Sequence, residues 1–190
     1  MTDLQMPSVD ALEQELARER YRKSFGRVLR STIFYLLVVA AIAVLIAVLV
    51  LPMLQIVGTS MSDTLNDGEI VVAVHRKLAT GDIIAFYYNN TILIKRVIAS
   101  EGQWVDIDEE GTVYVNGVAL REPYVTEKAL GECNIELPYQ VPDAKYFVMG
   151  DHRLTSIDSR NTAVGCVSED MVVGEIFLRI WPIKAFGLIR

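Results

Sequence analysis

The sequence predicts a mostly β protein, with an antiparallel β-rich domain behind one N-terminal transmembrane helix. Three observations carry this expectation. No charged residue occurs between Ser31 and Ser62. From Glu69 onward, short runs rich in β-branched and aromatic residues alternate with Gly, Asn and Asp. An Asn-Gly pair at 116–117 sits between two such runs. With 52% of its 190 residues apolar, 22% charged and a mean hydropathy of +0.31, the chain is no disordered acidic polypeptide. A net charge of −6 lacks the basic excess that a nucleic-acid partner calls for. Two Cys and two His are too few for a zinc cluster or a disulfide scaffold, and there is no Gly-rich phosphate loop and no internal repeat. Neither a metal nor a cofactor is therefore expected.

The first element is the membrane span. Its centre reads Phe34-Tyr35-Leu36-Leu37-Val38-Val39-Ala40-Ala41-Ile42 and continues to Leu51, longer than the roughly 20 apolar residues a crossing helix needs. A cleaved secretory signal would have an apolar run of roughly 7–15 residues ending at a small-x-small site, and none lies near Pro52. The span reads as a retained anchor over residues 31–54. Before it come Arg18, Arg20, Arg22, Lys23, Arg27 and Arg30 against the single acid Glu19, whereas Asp63, Asp67 and Glu69 follow it. By the positive-inside rule, residues 1–30 are cytoplasmic and residues 55–190 lie outside the cell membrane. The lipid bilayer is thus one expected partner. The tail holds five acids and six bases, so residues 63–190 carry 19 acids and 12 bases, an acidic domain large enough for its own core.

The β elements follow in order. Runs at 69–74, 82–88 and 91–98 are separated by Gly81-Asp82 and Asn89-Asn90, the spacing of consecutive antiparallel strands. Thr112-Val113-Tyr114-Val115, Asn116-Gly117, Val118-Ala119-Leu120 predicts a hairpin, because Asn-Gly takes the positive φ angles of a type I′ turn. Further strands are expected at 145–149 and 164–180, with loops at 121–143.

Three places hold candidate chemistry. Ser60 lies in Val57-Gly58-Thr59-Ser60-Met61, about six residues past the expected end of the anchor. Lys95 shares its strand face with Leu93 and Val97, a face that normally points inward, although an edge lysine snorkelling to water fits the spacing equally well. If buried, its amine loses hydration and its pKa falls from about 10.4, so that it can act as a base. The loop Gly150-Asp151-His152-Arg153-Leu154-Thr155-Ser156-Ile157-Asp158-Ser159-Arg160 carries two acids and two arginines at spacings suited to internal ion pairs.

Ser60-Met61-Ser62-Asp63-Thr64-Leu65, then Lys95-Arg96-Val97-Ile98, then Gly150-Asp151-His152-Arg153 through Ser156-x-Asp158-Ser159-Arg160, in that order behind one anchor, resemble bacterial type I signal peptidases. The likeness covers about residues 25–185 and fits the shorter, Gram-positive-type branch. The resemblance implies a membrane-bound Ser/Lys endopeptidase on a signal-peptidase-like β fold, removing signal peptides from exported preproteins after small residues. It assigns Ser60 as nucleophile, Lys95 as general base and Ser156 as the hydroxyl that orients the lysine amine. Asp158 and Arg160 become the pair that stiffens the loop. Gly58 matches a position near the oxyanion hole where some relatives place a hydroxyl, which glycine lacks; the backbone N–H of Ser60 itself remains as donor.

The resemblance is imperfect at Asp63, where proline is usual, and at His152, where asparagine is common. A carboxylate at position 63 is expected to favour charged Lys95 and to oppose its work as a base. Asp63 also supports the alternative reading, a weak or inactive relative that serves as a membrane-tethered binding or assembly module for surface proteins. Cys133 and Cys166 both fall outside the membrane, where a disulfide and two free thiols are equally compatible with the spacing.

Overall fold

A computed structural model describes residues 9–189. Helix α1, Val9–Val50, joins the tail and the apolar stretch without a break. Its first half is rich in Ala, Leu, Glu and Arg, all strong helix formers. It ends just ahead of Pro52, because a residue that precedes proline is pushed out of the helical region. The stretch Phe25–Leu45 is long and apolar enough to cross a membrane. Within it Phe34, Leu36, Leu37 and Val39 are exposed, as the side chains of a helix that faces lipid would be. The helix stops short of residue 54, the end expected for the span, and strand begins at Met53.

Residues 51–189 belong to a second compact unit. Its strands are β1 (Met53–Gln55), β2 (Ile70–Val74), β3 (Ile83–Tyr88), β4 (Thr91–Ser100), β5 (Trp104–Ile107), β6 (Val113–Val115), β7 (Val118–Ala119), β8 (Tyr139–Gln140), β9 (Lys145–Met149), β10 (Val167–Ser168), β11 (Val172–Trp181) and β12 (Gly187–Leu188). One sheet runs β1-β2-β11-β3-β4-β9-β10 with β12 on β11, and a smaller one runs β7-β6-β5-β8. Every pair is antiparallel. This is the mostly β class read from the sequence.

The expected hairpin forms, with Val115 opposite Val118 and positive φ at Asn116 and Gly117. Strands β1, β5, β8 and β12 were not expected. Within an apolar run β1 cannot be told from helix; it is strand because Pro52 ends α1 and β2 offers a partner, with Met53 opposite Val72. Strand β5 buries only Val105 and Ile107 and exposes Trp104 and Asp106, so its alternation is too short to stand out. Strand β8 lies inside the region expected to be loop and exists through its pairing with β5. The region 164–180 is not one strand, since β10 and β11 are separated by a single 3₁₀ turn.

Two features of this scaffold position the site. Strand β4 pairs with β3 over its first half and with β9 only from Arg96 onward, so residues 91–95 keep one free edge. An apolar cluster of Ile56, Met61, Leu65, Val71, Ala73, Ile83, Ala85 and Ile176 lies under the chain just beyond β1. Full burial of a side chain such as Leu65 stabilises by about 1.5–3 kcal/mol, so this cluster pins the Ser60 turn from below.

Candidate active site

Ser60 projects from a run of tight turns. The Ser62 N–H donates to the Thr59 carbonyl (3.1 Å) and the Leu65 N–H to the Met61 carbonyl (2.8 Å). Met61 and Leu65 are anchored in the core, while Ser60 between Thr59 and Met61 stays half-buried. The Ser60 carbonyl accepts the N–H of His152 at 3.1 Å, tying this turn to the loop 150–160. Gly58, at φ +95, donates its N–H to Asp67 Oδ1 at 2.8 Å. That amide is therefore committed. Among the described residues no acceptor takes the Ser60 N–H, which leaves it as the available donor for a developing oxyanion.

Lys95 is 3% exposed, which decides between the two placements its strand spacing allowed. Burial pulls the amine below its ordinary value, to about 8; Asp158 and Asp151 push it back up and Arg160 pushes it down. The Lys95 amine forms no ion pair and no hydrogen bond among the described residues, that to Ser60 Oγ included. The Ser156 hydroxyl donates to Asp158 Oδ2 at 2.7 Å. Its proton is thus spent on Asp158, and its lone pairs remain to accept from an amine.

The loop around Ser156 is fixed by buried charge. Arg160 meets both oxygens of Asp158, Nε to Oδ1 and Nη2 to Oδ2, each at 2.9 Å, with both side chains fully buried. Burial pushes the Asp158 carboxyl up, but Arg160, Ser156 and the Gly150 N–H outweigh it and hold it below the usual carboxylate range. Arg160 also donates to the Leu130 carbonyl at 2.6 Å and the Arg153 carbonyl at 3.0 Å. Arg153 in turn pairs with buried Glu122, and Arg96 with Asp151 at 2.6 Å beneath the ring of Tyr124. The Thr64 hydroxyl donates to Asp151 as well.

The sequence reading assigned no role to Gly150. A Cβ there would lie 2.3 Å from Ser156 Oγ and 2.6 Å from the Ser60 carbonyl oxygen, so only glycine lets the two serine-bearing segments meet. It was visible as part of a motif, but no local pattern distinguishes a close approach from an ordinary turn. Arg96, Asp151 and Thr64 were missed for the same reason, as was Arg179. From β11, Arg179 donates to the Thr64 carbonyl and faces Glu69 at 2.8 Å. Each of these links joins residues distant in sequence.

Asp63 departs from expectation. It is exposed and accepts the Thr126 hydroxyl at 2.6 Å, and the carboxylates that act on Lys95 are Asp158 and Asp151 instead. Cys133 and Cys166 are free thiols, and burial raises Cys166 to about 11. Beside Ser60 opens a groove of about 680 Å³, walled by residues 53–58 on one side and 90–94 on the other, with Met61 at its floor. Its walls are largely apolar, and its β4 wall is the unpaired edge of that strand.

A serine on an accessible turn, a buried amine pulled well below its ordinary pKa and an apolar groove between strand edges are the equipment of a serine peptidase. The family model described as signal peptidase, peptidase S26, matches residues 29–181, and the chain belongs to that family. Signal peptidase I T of Bacillus subtilis (strain 168) is 37% identical over 151 residues, covering 70% of this chain and 77% of that one. Signal peptidase IB of Staphylococcus aureus (strain COL) is 36% identical over 150 residues, covering 68% and 77%. Signal peptidase I of Bacillus amyloliquefaciens is 33% identical over 153 residues, covering 73% and 78%. The protein is a serine endopeptidase.

Proposed function

We propose that this protein removes signal peptides from exported preproteins, with Ser60 as nucleophile and Lys95 as general base. The neutral amine of Lys95 takes the Ser60 proton as Oγ attacks the scissile carbonyl, and the Ser60 N–H receives the oxyanion. Collapse expels the amine of the mature protein, which takes the proton back from Lys95. Water, deprotonated by the same amine, then hydrolyses the acyl-serine. Ser156, its proton held by Asp158, turns its lone pairs to Lys95 and orients the amine. Arg160 and Asp158 hold that loop, and Gly58 lines the groove.

The observation that carries this reading is the burial of Lys95 with its pKa near 8. Both neighbouring carboxylates, Asp158 and Asp151, are paired with Arg160 and Arg96, and their upward pull on the amine is outweighed by its burial. At pH 7 about one molecule in ten carries the neutral amine, and at pH 8 about half. The apolar groove suits the end of a signal peptide, laid as an extended strand against the free edge of β4. In this reading the span within α1 is a retained anchor, residues 1–30 are cytoplasmic, and the catalytic domain lies outside the bacterial membrane. Confinement of enzyme and signal peptide to one bilayer raises their effective concentration.

The test is cleavage of a preprotein carrying a small-x-small site by the detergent-solubilised full chain, beside Ser60→Ala and Lys95→Ala. The wild type should cut at that site, with kcat/KM rising through pH 8 and levelling above it. Inertness of the folded wild type across pH 7–10 would overturn the reading.

A further inference from the structure

A polypeptide cut at Ser60 must pass it on both sides, and the apolar groove accounts for only one. A second cavity, about 190 Å³, begins where the first ends: the groove takes in Ser60 and Met61, and this one starts at Ser62. It is bounded by Ser62 and Asp63, by Thr126 and Glu127, and by residues 151–154. We infer that it receives the leaving segment of the substrate, the first residues of the exported protein, and that Asp63 and Glu127 make it favour basic over acidic side chains there. This rests on the peptidase reading above.

The charges lining the cavity divide into two groups. Asp151 is consumed by Arg96, with side chains 0% and 2% exposed, and Arg153 by Glu122, both 0% exposed. These four cancel in pairs behind the wall. The His152 ring shares a hydrogen bond with the Thr155 hydroxyl at 2.8 Å through Nδ1. Two carboxylates then remain without a cation. Asp63 is exposed, with one oxygen on the Thr126 hydroxyl and the other open. Glu127 is exposed and makes no hydrogen bond or ion pair among the described residues. A substrate chain leaving Ser60 through this cavity therefore meets negative charge with no compensating guanidinium or ammonium in the lining. The opposite wall of the site, in the groove, carries no charged residue at all, so the selectivity is confined to the leaving side.

The test uses three preproteins identical except for the two residues after the cleavage site, which are Lys, Gln or Glu, with kcat/KM measured on the detergent-solubilised full chain. Wild type should rank them Lys above Gln above Glu, with about a tenfold spread at low salt, since exposed charge pairs are individually weak. High salt should compress the spread. The double variant D63N/E127Q should bring the Lys and Glu substrates within about twofold of each other. The double variant E109Q/E110Q makes the same charge change on the turn between β5 and β6 and should keep the wild-type spread. Asp63 and Glu127 are exposed, and a thermal melt close to wild type establishes that D63N/E127Q is folded. Equal rates for the three substrates in wild type, or an undiminished spread in D63N/E127Q, overturns this inference alone. Failure to cut any of them overturns it together with the peptidase reading.

Discussion

The segment 53–65 and the loop 150–160 hold the two halves of the site in opposite ways. The first is held by backbone turns and by Met61 and Leu65 sunk in the core, and it contributes one side of an open groove. The second is bound through guanidinium–carboxylate pairs that are wholly buried, Arg160 with Asp158 and Arg153 with Glu122. The difference follows from what each part must do. In the proposed mechanism the nucleophile has to meet a substrate from outside, and the Ser60 turn stays at the surface with one N–H unbonded. A lysine serves as a base only if its surroundings are dry and their charge is balanced, so the wall around it is fixed and paired. Buried ion pairs are poor sources of net stability, because desolvation offsets their attraction. Here they fix Asp158 and Asp151 near Lys95 while burial still holds its amine below the ordinary value.

The largest expected effect separates the two regions by chemistry. Ser60→Ala should cost on the order of 10⁴–10⁶ in kcat while leaving thermal unfolding unchanged. Asp158→Asn should instead cost about 3–5 kcal/mol of stability by leaving Arg160 buried and unpaired, measured by denaturant unfolding of the full chain in detergent. A loss below 1 kcal/mol would show that the second region is less tightly bound than its geometry.

Lys95→Met sharpens the comparison further, because the proposed base is held at a cost. The folded pKa near 8 lies below the unfolded value near 10.5, so charging the lysine penalises the folded state. That penalty is fully present below pH 8, about 3 kcal/mol, and disappears as pH rises to 10.5. The inactive variant should therefore melt several degrees above wild type at pH 7, and the gap should close by pH 10.5. Gly150→Ala probes the contact between the two regions: a methyl against the Ser60 carbonyl should shift the nucleophile and lower kcat about 10²-fold, with a smaller effect on unfolding. The smallest effect is at the rim. Because Asp63 faces Thr126, Asp63→Pro should leave the pH midpoint of kcat/KM where it is in wild type.

The β class, the order of the main strands and the 116–117 turn were legible because each rests on local chemistry, namely β-branched runs, Asn-Gly geometry and turn residues. Ser60, Lys95, Ser156, Asp158 and Arg160 were legible as candidates because their motifs are contiguous. The short strands β1, β5, β8 and β12 were not, since two to four residues carry too little periodicity. The ion pairs at Arg96 and Arg153 escaped too, because their partners lie 55 and 31 residues away. The effect first ascribed to Asp63 was misplaced for the same reason, as nearness in sequence to Ser60 said nothing about which way the carboxylate turns.

By itself the amino-acid order determined what short-range forces decide: an uncharged run long enough for a bilayer, a helix that ends at Pro52, strands that alternate with turns, and a serine, a lysine and an arginine-rich loop in a telling sequence. Only the tertiary structure decided that Lys95 is dry, that its neighbouring carboxylates are already paired, that Gly150 leaves room for Ser60 beside Ser156, and that the Gly58 amide is spent while that of Ser60 is free. Those properties depend on burial and on charges brought together from distant parts of the chain, and desolvation and Coulomb energies are set by position in space.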